Sequence, residues 1–171
     1  MGNDGPPASD TLRRVPVPRH APPADLGTLS GTASVTLAAR PESVRRARDF
    51  TRDTLNGWRM TDRFDAVALV VSELVTNALR HGLGVLPPVP VAAAPGTGGA
   101  AVELELMRCA RRLVCAVQDP DGRPPRVGEL DGVTECGRGL HLVDCFSDGW
   151  GWRPLSGSRT GKVVWAVFRT A

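Results

Sequence analysis

Three polar residues recur at every fourth position of one segment, as Glu73, Asn77 and His81. A spacing of four places side chains along one side of a helix. At about 100° per residue, this row lies beside the apolar positions of the same segment, where it can point into a cleft. A carboxylate there can accept a proton, and an amide oxygen is a hard ligand suited to Mg²⁺. A solvated helix face that ends in a histidine explains the segment equally well.

A second candidate segment begins with Asp119, at the end of an apolar run, and continues through Asp121 and Gly122. A carboxylate at the end of a buried strand is well placed to accept a hydrogen bond from a ligand, such as the exocyclic amine of adenine. The residues of this segment are also strong turn formers, and taken alone they favour an ordinary turn.

The third candidate is Gly137-Arg138-Gly139-Leu140, which leads into a predicted helix. Two glycines allow a ligand close to the backbone, a helix N-terminus attracts phosphate, and Arg138 adds a planar charged donor. The pattern is not a dinucleotide-binding fingerprint, because Leu142 stands where the third glycine belongs and no parallel βαβ unit surrounds it.

Two other site classes are excluded. The segment from Gly157 to Val163 is one residue too short for a phosphate-binding P-loop, lacks Ser or Thr after Lys162, and precedes a strand. The four cysteines form no CxxC pair, so their spacing matches no zinc ribbon or finger.

Periodicity and turn residues predict the elements that position these candidates. The first half is predicted to contain a strand over 33–39, a helix from Pro41 to Leu55 that Gly57 stops, and a helix from the N-cap Asp62 to His81 that Gly82 stops. The second half is predicted to contain a hairpin of strands over 101–107 and 112–118, a short helix over 140–146, and strands over 150–153 and 163–168. The inward positions are Val44, Ala47, the Arg48 stem, Thr51 and Leu55 on the first helix, and Phe64, Val67, Val71, Leu74 and Ala78 on the second. Helices grouped in this way predict an α+β fold, a two-layer α/β sandwich whose mostly antiparallel, mixed sheet is covered by helices on one face.

The composition indicates one globular domain. Of 171 residues, 42% are hydrophobic and 23% charged, which is enough for a core. Residues 1–31 are expected to be a disordered Pro-rich leader, 32–171 the domain, and 83–100 a flexible Pro/Gly/Ala-rich insertion. A net charge of +3 without a dense basic stripe argues against nucleic acid. No stretch resembles a signal peptide or a membrane span, so a cytoplasmic protein is expected.

In order and spacing, the segments resemble the boxes of the Bergerat (GHKL) ATPase superfamily. The segment 73–77 resembles its N box, Asp119 and Gly122 its first glycine box, 137–139 its second, and 161–165 its closing turn and last strand. The resemblance covers about residues 32–170. It is closest to the anti-sigma-factor serine/threonine kinases, especially the short actinobacterial ATP-binding regulators, which share the run SELVTNA at 72–78.

The resemblance implies ATP and Mg²⁺ as ligands and a role for each site residue. Asn77 would coordinate the Mg²⁺ that bridges the ATP phosphates, and Glu73 would be the base that activates a serine hydroxyl or water. Asp119 would bind the adenine amino group, and Gly122 would shape the pocket wall. The second glycine box, Gly137, Arg138, Gly139 and Leu140, would border the phosphates, His81 would lie near the site, and residues 123–136 would form the ATP lid.

The implied function is a serine/threonine kinase that acts as an anti-sigma factor. Its partners would be an anti-sigma-factor antagonist of the STAS type, a sigma factor or both, and it could form a homodimer. The alternative is a nucleotide-dependent protein-binding module without kinase turnover. That alternative is favoured by two departures from the family pattern, namely Asp121 where the family usually has Gly, and Val163 where Thr is common. A detached histidine-kinase catalytic domain is disfavoured, because His20 lies in a Pro-rich stretch and not in a helix.

Overall fold

In a computed structural model, the protein is described over residues 29–84, 101–125 and 138–170. The strands are β1 (Leu29–Ala38), β2 (Ala101–Cys109), β3 (Arg112–Asp119), β4 (Gly149–Pro154) and β5 (Lys162–Arg169). The helices are α1 (Ser43–Gly57), α2 (Phe64–Asn77) and α3 (Arg138–Phe146), with a 3₁₀ turn at Thr61–Arg63 and a π-turn at Ala78–Gly82 on either side of α2.

The five strands form one sheet in the order β1-β2-β3-β5-β4. All four strand pairings are antiparallel, so the described part of the sheet contains no parallel pair, although a mixed sheet was expected. The predicted hairpin is β2–β3, in which Cys109 pairs with Arg112 across a two-residue turn. The predicted α+β sandwich is confirmed.

The core lies between the helices and one face of the sheet. The predicted stripe of α2 is confirmed, because Val67, Val71, Leu74 and Ala78 are at most 2% exposed and Phe64 packs against them. The predicted stripe of α1 is confirmed at Ala47, Thr51 and Leu55, with Val44 packed against the core. A smaller cluster of Val114, Ala116 and Trp165 lies on the opposite face of the sheet. None of the helices in the described residues is long and apolar enough to cross a membrane.

Three local predictions about the helices and the first strand are wrong in detail. Arg48 is exposed, so its stem does not face the core; Ser43 does, and its hydroxyl donates to the Ala38 carbonyl at 2.6 Å. Asp62 does not cap α2, because the chain enters that helix through a 3₁₀ turn without a side-chain cap. Strand β1 begins at Leu29, inside the range expected to be the leader.

Several predicted segments lie wholly or partly outside the described residues. They are 1–28 of the leader, 85–100 of the insertion, and 126–136 of the lid together with Gly137.

Gly161 occupies a position in the fold that does not accommodate a side chain. Its φ is +128°, and a Cβ there would collide with the carbonyl oxygen of Asp119. We expect Gly161→Ala to lower the free energy of unfolding by about 3 kcal/mol, because the new methyl group would add a clash to backbone strain. Gly157→Ala is the matched control: its φ is +75° with nothing within 4 Å of the added Cβ, so only about 1 kcal/mol is expected. Urea unfolding measures both, and equal losses would contradict the predicted clash.

Candidate functional site

A buried ion pair lies where β3 ends beside β5. Asp119 and Lys162 are direct partners in the antiparallel ladder, so the sheet register itself places them opposite each other. The Lys162 ammonium lies 2.9 Å from Oδ2 and 3.1 Å from Oδ1 of Asp119. The two residues are only 3% and 4% exposed, so water contributes little to either charge.

The turn that follows β3 is tied to the same pair. The backbone N–H of Asp121 donates to Asp119 Oδ1 at 2.8 Å, and Lys162 Nζ donates to the Asp121 carbonyl at 2.8 Å. Burial raises the pKa of the Asp119 carboxyl, while the hydrogen bond and the charge of Lys162 oppose that rise. The carboxyl and the turn are therefore fixed in one arrangement.

The end of α2 meets this carboxyl through the π-turn. The N–H of Leu83 donates to the Ala78 carbonyl at 3.1 Å, which closes the wider turn. A Cβ on Gly82 would lie 3.0 Å from both Cγ and Oδ1 of Asp119. Gly82 therefore allows the helix end to touch the carboxyl, whereas the sequence indicated only that Gly82 stops a helix. Single π-turns are frequent at functional sites.

The first turn of α3 meets the middle of α2. A Cβ on Gly139 would lie 2.8 Å from Glu73 Oε2 and 3.4 Å from Asn77 Oδ1. The two polar residues of the predicted N box therefore face a predicted glycine-box residue directly, and a side chain there would displace the Glu73 carboxylate. Burial raises the pKa of the half-buried Glu73 carboxyl, and the charge of Arg80 partly offsets this. A raised pKa brings a carboxylate closer to the range of a useful general base.

One cleft is lined by residues of α2, the π-turn, β3, α3 and β5. Its polar lining includes Asn77, His81, Asp119, Asp121, Arg123 and Lys162, and its apolar lining includes Leu74, Ala78, Val117, Leu140 and Val164. An apolar cleft with a few converging polar groups is the usual form of a small-molecule site.

The structure brings four of the predicted site residues, Asn77, His81, Asp119 and Leu140, together as lining residues of this cleft. Glu73 does not line it and instead reaches Gly139. Gly122 does not line it either; it is exposed and sits beside Gly161.

The charge of Asp121 is balanced within its own turn. Its carboxylate accepts hydrogen bonds of 3.0 Å from the N–H and the Nε–H of Arg123, and Nη2 of Arg123 lies 2.9 Å from Oδ2. These hydrogen bonds hold the pKa of Asp121 below its ordinary value. The acidic residue is evident in the sequence, but its pairing with the cation two residues later is not.

The residues fit a magnesium ion that is shared with a ligand. Asn77 offers an amide oxygen at the α2–α3 contact, and no group of three or more His, Cys, Asp or Glu residues that could hold a metal occurs in the described part of the chain. Mg²⁺ is commonly held by one or two protein oxygens together with phosphates and water, and not by a protein cage.

Comparison with known families agrees with this geometry. The sequence profile described as histidine kinase-like ATPase domain matches residues 37–168, a range that includes all three helices and the cleft. None of the curated proteins compared with the sequence matches it. The chain therefore belongs to the family of histidine kinase-like ATPase domains, and this membership implies that it binds ATP.

Proposed function

We propose that the protein is an ATP-dependent serine/threonine kinase that acts as an anti-sigma factor and phosphorylates an anti-sigma-factor antagonist of the STAS type. The observation that carries the kinase part of the proposal is the contact of Glu73 and Asn77 with Gly139 at the N-terminal turn of α3. That contact supports the proposal, because it brings a carboxylate and an amide oxygen beside a helix terminus that attracts phosphate. The anti-sigma-factor part rests on the resemblance of the run at 72–78.

Glu73 is suited to activate a serine hydroxyl. Partial burial raises the pKa of its carboxyl, so it holds a proton more readily than a solvated glutamate does. Asn77 would hold the Mg²⁺, which neutralises charge on the phosphates when bound. Phosphoryl transfer requires mainly positioning and charge neutralisation, so these few groups are sufficient.

The two departures from the family pattern weigh less against turnover than the sequence suggested. The Asp121 carboxylate is paired with Arg123, so the turn does not present an uncompensated negative charge to the nucleotide. Val163 packs against the cluster of Val114, Ala116 and Trp165, on the face of the sheet away from the helices. A threonine at position 163 would therefore face away from the cleft, and its loss does not alter the cleft lining.

Phosphate transfer is the decisive test. With Mg·ATP and a STAS-type antagonist, we expect phosphate to appear on a serine of the antagonist. Glu73→Gln should slow transfer at least about 100-fold, because the base is lost, while ATP binding persists. Glu103→Gln, an exposed carboxylate on the sheet, is the control and should transfer at the normal rate.

The outcomes separate the candidate functions. Saturable ATP binding without transfer to any antagonist or sigma factor would favour the binding module. Transfer that survives Glu73→Gln would contradict the role of Glu73. A wild-type chain that does not bind ATP would contradict the site itself.

The raised pKa of Glu73 also predicts a pH-dependent stability difference. Above this raised pKa, the folded state carries an ionised, partly buried carboxylate that the unfolded chain solvates better, so wild-type stability falls as pH rises through it. Glu73→Gln removes this cost. We expect its Tm to exceed that of the wild type at pH 8 and to converge with it near pH 4, as measured by thermal unfolding across that range. A gain that is equal at both pH values, or a loss at pH 8, would contradict the burial of this carboxylate.

A further inference from the structure

The sheet carries a second apolar surface, on the face away from the helices. This outer cluster consists of strand residues, namely Val114, Ala116 and Trp165 with Met107, Val163 and Val167 packed against them. Val114 is fully buried, and Ala116 and Trp165 are only 7% and 6% exposed, although the described helices lie on the other face. The second face of an antiparallel sheet normally meets water, so this burial favours a covering segment.

Trp165 has an unused hydrogen-bond donor within the outer cluster. Its six-membered ring lies over Gly151 of β4, where an added Cβ would collide with the ring. The indole Nε1 atom is buried and has no hydrogen-bond partner among the described residues. An indole N–H can only donate, and a buried donor without an acceptor is unfavourable. The surface therefore suits a ligand that offers a carbonyl oxygen beside apolar side chains.

The chain enters β1 from the side of this outer face. A bulge separates Leu29 from Gly31, and Gly31 faces the helices, because a Cβ there would lie 3.1 Å from the Trp58 ring. Leu29 pairs with Cys109, which strand alternation places on the same face as Met107. Cross-strand partners share a face, so the exposed Leu29 points to the outer face, and the residues before it begin on that side.

The segment 13–19, which precedes Leu29, has the sequence RRVPVPR. Alternating prolines favour the polyproline II conformation, which forms no internal hydrogen bonds and leaves its carbonyls free to accept from an aromatic N–H. Val17 stands 12 residues before Leu29, a stretch that spans about 37 Å in this conformation. The strand spacing and rise place Trp165 about 20 Å from Leu29, so the segment can reach it.

Two carboxylates lie between β1 and the outer cluster. Glu103 and Glu105 are on the outer face of β2, where Glu105 pairs with Ser34 of β1 and Ala116 of β3. Burial and the neighbouring charge of Glu103 raise the pKa of Glu105, so a nearby cation would stabilise its ionised form. The segment 13–19 offers three arginines for these two acidic residues.

We propose that the segment 13–19 binds across the outer face of the sheet in the polyproline II conformation. The indole N–H of Trp165 donates to one of its carbonyls, and its arginines lie beside Glu103 and Glu105. The insertion 85–100 is the nearest alternative occupant, because it contains PVPV at 88–91. It has no charged residue and follows the π-turn, on the side of the helices, so it matches the surface less well.

NMR spectroscopy of the full chain tests this docking and requires neither nucleotide binding nor phosphate transfer. We expect nuclear Overhauser contacts between the Trp165 indole N–H and the methyl groups of Val15 or Val17. Val15→Asp/Val17→Asp should abolish these contacts and speed hydrogen exchange of the indole N–H at least about 10-fold, because its acceptor is lost. Val89→Asp/Val91→Asp is the matched control, since it adds the same charges to a similar sequence, and it should leave the exchange unchanged.

A charge reversal in the same segment tests the acidic residues separately. Arg13→Glu/Arg14→Glu would repel Glu103 and Glu105, so it should speed the exchange at least about threefold. An exchange rate equal to that of the wild type would contradict the assigned position of the arginines.

Three results would overturn the proposal. The first is a wild-type chain with no contact between residues 13–19 and Trp165, or with contacts that persist in Val15→Asp/Val17→Asp. The second is faster exchange only in Val89→Asp/Val91→Asp, which would assign the surface to the insertion. The third is a set of contacts that, in a mixture of labelled and unlabelled chains, arises only between molecules, which would assign the surface to a second copy.

Discussion

The buried pair of Asp119 and Lys162 is the interaction on which the geometry of the cleft depends. A carboxylate removed from water is costly unless a cation and further hydrogen bonds compensate it. Here the cation comes from the directly opposite residue of the neighbouring strand, and the turn after β3 provides the remaining donor. The position of the Asp119 carboxylate is therefore held by the register of the sheet together with the turn that follows β3.

The remainder of the site is built on α2, the helix that packs against both α1 and α3. Its middle carries Glu73 and Asn77, which face Gly139, and its end widens into the π-turn that presses Gly82 against Asp119. One helix thus reaches both the residues proposed to act at the phosphates and the residue proposed to bind the base. A shift of α2 along its axis would alter both close contacts together.

The sequence predicted those features that depend on periodicity. The strands, the hairpin, and the buried stripe of α2 follow from alternation and helical spacing, and the structure agrees. The features that the sequence did not predict depend on which residues from other elements contact a given residue in the fold. Neither the partnership of Lys162 with Asp119, nor the contact of Gly82, nor the π-turn has a local signal, because each is set by tertiary register. The prediction that Asp62 caps α2 was wrong, because the chain enters the helix through a 3₁₀ turn.

The balance of charges around Asp119 affects how the proposed site would attract a nucleotide. Asp119 is paired with Lys162 and Asp121 with Arg123, so these four residues together carry no net charge. In the proposed nucleotide site, this neutral region would provide shape and hydrogen bonding but little attraction for phosphate. The partly buried Glu73, which lies beside Gly139 and outside the cleft lining, repels anions when ionised. Under the proposed function, attraction for the phosphates would come in part from the backbone N–H groups at the start of α3 and from a divalent cation held by Asn77, because both compensate negative charge.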